Sequence, residues 1–189
     1  MKIRFPNDND PRILLNIYAQ YINTPVTFEY ALPTVQEFSD RIAEISRFYP
    51  YLVCEENNRI IGYAYAHRHM QREAYQWGAE LSVYLDQSFH SRGAGKKLYN
   101  TLIEILKLQG IRTVYGIVVV PNMKSESLHK TLGFKIAGTC HNAGYKAGKW
   151  WDVMWFEKNI AGYDSAPEPI IPIQKLPELQ IQEILSSFI

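Results

Sequence analysis

Val83-Tyr-Leu-Asp-Gln-Ser-Phe-His-Ser-Arg-Gly-Ala-Gly-Lys-Lys97 is the most informative segment of this chain. A strand comes first, a short loop with two glycines follows, and a helix begins near Gly95. Glycines let the backbone turn tightly and approach a ligand, while the free amides and dipole of a helix N-terminus attract anions. Arg92, Lys96 and Lys97 add positive charge. Taken alone, the segment fits a phosphate-binding turn and an ordinary strand-to-helix turn equally well.

Two common nucleotide-binding loops are disfavoured by residues within this segment. A Walker loop needs Gly five residues before Gly95 and Ser or Thr after Lys96, but His90 and Lys97 occupy those positions. A dinucleotide fingerprint needs a third glycine where Leu98 stands. A phosphate bound here would therefore belong to another kind of ligand.

The segments on either side predict a mixed α/β (α+β) fold. Hydrophobic periodicity predicts one strand, two helices, three strands, one helix, one strand, one helix and two strands, in that order. Such an order favours a central mixed sheet flanked by helices. The β-branched run Thr113–Val120 is typical of a strand buried on both faces. The other strands are expected over Lys2–Phe5, Tyr51–Cys54, Arg59–His67, Ala79–Leu85, Lys135–Thr139 and Trp151–Glu157, and the helices over Pro11 to Tyr21, Thr34 (a capping box) to about Phe48, Arg92 to Leu108 and Asn122 to Leu132.

Composition and charge exclude several classes of protein. The 189 residues are 47% apolar and 21% charged, enough to bury a core, and the formal net charge of +1 is a poor footprint for binding nucleic acid. No apolar run approaches the roughly 20 residues of a membrane helix, and the start lacks the apolar region of a secretory signal. Two cysteines without CxxC spacing make no disulfide scaffold. We therefore expect a cytoplasmic protein that binds neither nucleic acid nor membranes.

The composition changes from Gly162 onward, where prolines become frequent. We expect a domain over residues 1–160, followed over residues 161–189 by a Pro-rich linker and a short helix, Leu176–Ile189. The sequence leaves open whether this helix docks on its own domain, covers a dimer seam or recruits a partner. The apolar residues available for docking are Leu179, Ile181, Ile184, Leu185 and Phe188.

Several motifs in series resemble one enzyme family. His90-Ser-Arg-Gly-Ala-Gly95 resembles the Gln/Arg-x-x-Gly-x-Gly/Ala pyrophosphate loop of the GNAT acyl-CoA N-acyltransferases, with His90 in place of the usual Gln or Arg. Four further segments are similar to those of the phosphinothricin and methionine sulfoximine N-acetyltransferases within that family: Arg72–Tyr75, Glu80–Tyr84, Asn122–Phe134 and Gly144–Val153.

The resemblance covers about residues 1–160 and implies a GNAT fold with a mostly antiparallel sheet. It implies transfer of acetyl from acetyl-CoA, the co-substrate, directly to the primary amine of a small amino acid or analogue. The replacement by His90 weakens one side-chain contact of the family pattern but leaves the backbone amides of the loop. The implied cofactor-binding residues are Val83, Tyr84, Leu85, Ser91, Arg92, Gly93, Ala94, Gly95, Lys96, Asn122 and Ser125.

The resemblance also implies catalytic and acceptor-binding residues. An ammonium group has no lone pair, so an amine acceptor needs a proton acceptor, and Glu80 is the implied general base. His129 would donate a proton to sulfur or relay the amine proton; packing on the sheet is the alternative. Arg72 would pair with the carboxylate of an amino acid substrate. The implied acceptor-binding residues are Phe28, Glu29, Arg72, Ala74 and Tyr75.

Other interpretations stay open. His67 and His69 share a strand face, but no third ligand has supporting spacing, so we expect no metal. An acyl-CoA-binding regulatory module without turnover is one alternative function. A GNAT enzyme that acetylates an aminoglycoside, polyamine or peptide amine is another. Exposed strand edges and late aromatic residues favour a homodimer.

Overall fold

A computed structural model describes residues 1–163 and 165–187 of the chain. These residues form a mixed α/β fold with the predicted order of elements. The strands are β1 (Lys2–Arg4), β2 (Tyr51–Glu56), β3 (Arg59–Arg68), β4 (Gly78–Leu85), β5 (Thr113–Val120), β6 (Lys135–Lys146) and β7 (Lys149–Asn159). The helices are α1 (Pro11–Ala19), α2 (Val35–Ser46), α3 (Ala94–Leu108), α4 (Met123–Thr131) and α5 (Glu178–Ser187). Phe188 of the predicted tail helix lies outside the described residues.

The strands form one sheet in the order β1-β2-β3-β4-β5-β7-β6. Each neighbouring pair is antiparallel except β4 and β5, which are parallel. The expected mixed, mostly antiparallel sheet is therefore confirmed.

The parallel pair opens in the middle of the sheet. Over the described residues, β4 and β5 pair only where Gly78–Glu80 meets Thr113–Tyr115. Beyond this point β4 stays bonded to β3 as far as Leu85, and β5 stays bonded to β7 as far as Val120. The edges of β4 and β5 that face each other are left without strand partners, and we call this opening the split.

The two faces of the sheet carry different helices. One core contains α1, α2 and the tyrosines of β2 and β3 that face them, while α3 and α5 belong to a second core on the opposite face. The prediction that β5 is buried on both faces was wrong. Val114 and Val118 are buried on the α3 side, but Tyr115, Ile117 and Val119 are half-buried, because the helices of the other face, α1 and α2, pack mainly on β2, β3 and β4.

The last two strands are longer than the sequence predicted. Ala147 and Gly148 both have positive φ and connect Lys146 directly to Lys149, which is a two-residue hairpin turn. The pairing continues back through the polar, glycine-containing stretch that follows Thr139. Strand propensity is weak in that stretch, so only the pairing partner β7 reveals it as a strand.

Helix ends agree with the local signals to within a few residues. Thr34 and Glu37 form the expected capping box of α2, which ends at Ser46, earlier than predicted. Tyr21, predicted within the first helix, lies in the turn after it. Gly93 and Gly110, both with left-handed φ, flank α3.

The tail packs against its own domain. Ile173, Leu176, Ile181 and Leu185 join the core that contains α3. The buried amide of Gln109 donates to the carbonyl oxygens of Phe48 and Ile171, which fastens the segment before α5. Leu179, on the same helix, is 80% exposed. The structure thus places α5 on the face that carries α3.

None of the described helices is both long and apolar enough to cross a membrane.

Shortening a buried side chain of the tail helix α5 should destabilise the domain. We expect Leu185→Ala to lower the free energy of unfolding by about 2–5 kcal/mol, because it leaves a cavity in the core. Leu179→Ala, the matched control on the exposed side of α5, should change it by less than about 0.5 kcal/mol. Urea denaturation measures both variants. Equal effects would contradict docking of α5 on the core.

Candidate active site

The predicted anion-binding loop has the expected backbone geometry. Ser91 and Gly93 have positive φ, and Gly93 precedes α3 without any side-chain cap. The first helical bond runs from the amide of Lys97 to the carbonyl oxygen of Gly93 at 3.0 Å. Within the described residues, no protein acceptor takes the amides of 94–96. These amides and the helix dipole form a site suited to an anion.

Arg92 is directed toward the flank of this loop. Its guanidinium lies 4.7 Å from the centre of the Phe89 ring, and Nη1 is 3.8 Å from the Glu56 carboxylate. More than half of the side chain is exposed. Lys96 is exposed in the first turn of α3. Both charges thus lie on residues of the loop and of the first helical turn, while Arg92 is directed to Phe89 and Glu56.

His90 connects the loop to two helices, a role that the sequence did not reveal. Its Nε2 lies 2.7 Å from Oη of Tyr21, whose hydroxyl donates to the carbonyl oxygen of Leu85, and Nζ of Lys124 lies 2.8 Å from Nδ1. Burial and the Lys124 charge lower the pKa of His90, so the ring is neutral, donates from Nε2 and accepts from Lys124. Its departure from the family pattern was the only sequence signal of this bridge.

The strand beside the split is held by side chains and leaves its backbone edge open. The ring of Tyr84 packs edge-on against Tyr18 at 5.1 Å and lies 5.4 Å from Tyr63. Val83 and Leu85 pack against the opposite core. A ligand in the split would therefore meet the main chain of 83–85 rather than the phenol of Tyr84.

Asn122 and Ser125 begin α4 on the other side of the split. The side-chain oxygen of Asn122 accepts from the amide of Ser125 at 3.2 Å, which confirms the expected cap. Asn122 thus fixes the start of the helix that carries His129.

His129 is packed tightly beneath the split. It is 2% exposed, stacks on Phe156 at 4.8 Å, and donates from Nδ1 to the carbonyl oxygen of Ser125 at 2.8 Å. A Cβ on Gly116 would lie 2.0 Å from Nε2, so the ring fills the space that this glycine leaves. Burial lowers the pKa of His129, and its proton sits on Nδ1. These contacts support the packing role among those the sequence left open.

Glu80 lies at the last paired position before the split. It pairs with His67 of β3 in the sheet, and its carboxylate is 19% exposed. Its Oε1 lies 3.6 Å from Nε2 of His67, and Oε2 lies 4.0 Å from Nδ1 of His69. Since Glu80 and Tyr84 share a strand face, this carboxylate lies on the α1–α2 side. The sequence by itself indicated His67 and His69 only as candidate metal ligands.

The loop between α1 and α2 is fastened to the β6–β7 hairpin. A Cβ on Gly144 would lie 2.4 Å from the Phe28 ring, so the ring rests on this glycine. The buried ammonium of Lys146 donates to the carbonyl oxygens of Thr27 and Glu29 at 2.5 and 2.8 Å. Burial lowers the pKa of Lys146. This explains why Gly144 and Lys146 occur in one motif: together they hold the loop.

The carboxylate of Glu29 is already occupied by neighbours. It accepts from Tyr18 at 3.0 Å and forms an ion pair with Arg41 at 2.6 Å. Phe28 and Glu29 are therefore held in place by these contacts, on the side of the site opposite β3 and β4.

Two of the three remaining acceptor residues line a cavity of about 260 Å³ that His69 also lines. Ala74 and Tyr75 line it together with His69, Tyr115 and Arg112. Arg72 does not line this cavity; it is exposed, at the start of a 3-10 turn over Glu73–Tyr75. The structure thus brings Ala74 and Tyr75 close to His69, and leaves Arg72 at the rim.

The described part of the chain offers no metal cluster, and its buried cysteine is not a nucleophile. No group of three or more His, Cys, Asp or Glu side chains there is placed to hold a metal ion. Burial raises the pKa of Cys54 to about 11, so this thiol is protonated at neutral pH. Cys54 is thus a buried apolar side chain rather than a nucleophile.

Comparison with known proteins identifies the family. Residues 3–155 match the family model described as an acetyltransferase (GNAT) domain. The chain belongs to the GNAT acetyltransferases. The family resemblance that the sequence motifs carried is therefore confirmed, together with the acyltransferase class and the fold.

Several similar proteins are named as phosphinothricin or methionine sulfoximine acetyltransferases. The chain is 32% identical over 177 residues to a phosphinothricin N-acetyltransferase of Streptomyces viridochromogenes. The aligned region covers 93% of this chain and 96% of that relative. It is 32% identical over 120 residues to an L-methionine sulfoximine/L-methionine sulfone acetyltransferase of Pseudomonas aeruginosa, covering 63% of this chain and 70% of that one. A phosphinothricin acetyltransferase from Sinorhizobium meliloti, solved in complex with acetyl-CoA, superposes with a TM-score of 0.85 at 30% identity, covering 92% and 96% of the two chains.

Proposed function

We propose that this GNAT enzyme transfers acetyl from acetyl-CoA to the primary amine of a small amino acid or analogue, of the phosphinothricin or methionine sulfoximine type. The position of Glu80 is the observation that carries the proposal. The split begins at this residue, and the cavity lined by Ala74 and Tyr75 is also lined by its neighbour His69. A carboxylate at this point can take a proton from an amine that enters from the cavity side.

The residues around the split fit acetyl-CoA, which supplies an acetyl group activated as a thioester. The free amides at 94–96 suit its diphosphate, with Lys96 adding charge. The unpaired backbone edge at 83–85 suits the amide groups of the pantetheine arm, because buried backbone donors and acceptors need partners. Asn122 and Ser125 begin α4 across the split.

The protein residues then bind, orient and deprotonate the amine. Glu80 accepts one proton of the ammonium group, and the freed lone pair attacks the thioester carbonyl directly. The C–N bond that forms replaces the C–S bond, and the thiolate of CoA leaves and takes up the second proton that the nitrogen loses. Arg72 at the rim pairs with the carboxylate of the acceptor, and Tyr75 and Phe28 enclose its side chain. This arrangement favours an amino acid over a polyamine, which has no carboxylate.

The exposed edge strand β6 is consistent with a homodimer, and we place the enzyme in the cytoplasm.

Replacing the proposed base tests the reaction. We expect Glu80→Gln to lower kcat by on the order of 10²-fold, because the amide cannot accept the proton. Thiol release is measured across a panel of amino acids, phosphinothricin, methionine sulfoximine, aminoglycosides and polyamines, and calorimetry measures CoA binding. CoA binding without turnover of any amine by the wild type would instead indicate a regulatory module. An unchanged kcat would remove Glu80 from the mechanism.

Two glycines at opposite ends of α3 test the anion site. Gly93 and Gly110 both have left-handed φ, and a Cβ on either meets no atom within 4 Å. Gly93→Asp should weaken CoA binding, because it places a negative charge at the free amides. Gly110→Asp, with the same backbone strain, should bind CoA like the wild type. Equal affinities in calorimetry would place the diphosphate elsewhere.

Two neighbouring arginines test the carboxylate contact. Arg72→Ala should raise KM for amines that carry a carboxylate and leave KM for their decarboxylated analogues unchanged. Arg68→Ala, which removes an arginine whose Nε donates to the carbonyl oxygen of Met70, should not distinguish the two classes. Steady-state kinetics on paired amines measures this. A loss by Arg72→Ala that is equal for both classes would contradict the contact.

A further inference from the structure

A proton removed from the amine must leave Glu80 before the next turnover. The carboxylate is 19% exposed and is flanked by two histidines. The proton can therefore reach solvent through a neighbouring group. The two rings differ in ways that assign this task to one of them.

His69 is not suited to carry the proton. Its side chain is 7% exposed, and its ring stacks on Tyr115 at 3.9 Å and meets Trp155 edge-on. Among the described residues, Nδ1 has no hydrogen-bond partner. Burial lowers the pKa of His69 more than the Glu80 charge raises it, so the ring stays neutral. It packs against Glu80 and positions the carboxylate.

His67 has Glu80 on one side and open space on the other. Its Nδ1 lies 3.1 Å from the carbonyl oxygen of Arg68, so this nitrogen donates and Nε2 faces Glu80 with a lone pair. The side chain is 36% exposed and lines a groove of about 680 Å³ between α2, the end of β3 and the tail. The charged and titratable groups around it are Glu80 on β4, Glu44 and Tyr49 at the end of α2, Glu73 on the 3-10 turn, and Tyr65, Arg68 and His69 along its own segment.

We propose that His67 relays the proton of the acetylated amine from Glu80 to the solvent in this groove. The inference rests on the proposed function, since it needs Glu80 to be the base. His67 touches neither substrate nor cofactor in this scheme; it acts through Glu80.

The proton balance of the relay closes without another reactant. An ammonium N–H bond breaks as an O–H bond forms on Glu80, and the neutral amine keeps the electron pair. That O–H bond then breaks as an N–H bond forms at Nε2 of His67. The half-exposed ring then turns its Nε2 edge toward the groove, where the Nε2 proton passes to water, and its return to Glu80 restores both side chains. The 3.6 Å separation of the two groups closes by a small side-chain rotation, as is common for sites without substrate.

The ionisation of His67 agrees with this geometry. Burial acts to lower its pKa, but the hydrogen bond and charge of Glu80 outweigh burial and raise it. A ring that is stabilised as imidazolium beside Glu80 can hold the proton between the two transfers.

Chemical rescue tests the relay. We expect His67→Gln to lower kcat by about 10-fold or more while CoA affinity stays unchanged, because the base remains but its proton leaves slowly. Added imidazole should restore the rate through the groove, and a series of small bases should rescue in order of their pKa. His141→Gln, the control at an exposed histidine on β6, should keep the wild-type rate and show no response to imidazole. If His67→Gln fails to bind CoA, the same rescue experiment is done with His67→Ala.

A titration without substrate gives a second measurement. The pKa of His67, followed by NMR of its ring proton, should fall in Glu80→Gln, since the carboxylate raises it in the wild type. A wild-type kcat for His67→Gln, or a reduced kcat that no added base restores, would overturn the relay. An unchanged His67 pKa in Glu80→Gln would also overturn it. If the wild type acetylates no amine, the proposed function itself fails; if Glu80→Gln keeps full activity, Glu80 is not the base and the relay fails with it; if Glu80→Gln is slow and His67→Gln is not, only the relay fails.

Discussion

The end of pairing between β4 and β5 after Glu80 and Tyr115 is the constraint on which the site depends. A strand that loses its neighbour inside a sheet exposes amides and carbonyls, which are costly to leave without partners. Here each strand stays bonded on its outer side, to β3 and to β7, so the opening does not unravel the sheet. The hydroxyl of Tyr99 donates to the carbonyl oxygen of Leu81 from below at 3.2 Å. The remaining edge has no strand partner among the described residues, which leaves its amides and carbonyls able to bond a ligand.

Packing on both faces keeps this opening in place. On one face, stacked tyrosines of β2, β3 and β4 fix the strand through their rings, with Tyr51 and Tyr63 nearly parallel at 5.6 Å. On the other, His129 occupies the space left by Gly116. His90 then joins the glycine loop to α1 and α4 through Tyr21 and Lys124. These contacts preorganise the loop and strand edge, so little rearrangement is needed when a cofactor binds.

The acceptor side is built from distant segments fastened together. Lys146 on the hairpin holds the backbone at Thr27 and Glu29, and Tyr30 donates to the carbonyl oxygen of Tyr145. A buried ammonium with two carbonyl partners is strongly constrained, because moving it away would leave a buried charge without hydrogen bonds. The segment that carries Phe28 and Glu29 is therefore fixed by a buried lysine on the β6–β7 hairpin.

The sequence by itself determined the order of the elements, the glycine loop and the family. Hydrophobic periodicity, capping residues and glycines with left-handed φ depend only on residues a few positions apart, so they can be recognised without the fold. The Thr34 capping box and the Asn122 cap are examples. Only the tertiary structure decided where β4 and β5 separate, that β5 is buried on one face, and that the strands around Thr139 extend into a long hairpin. It also brought His67 and Glu80 together, since partners from separate strands depend on sheet register. The roles of His90 and Lys146 needed the fold for the same reason: their hydrogen-bond partners lie far away in the chain.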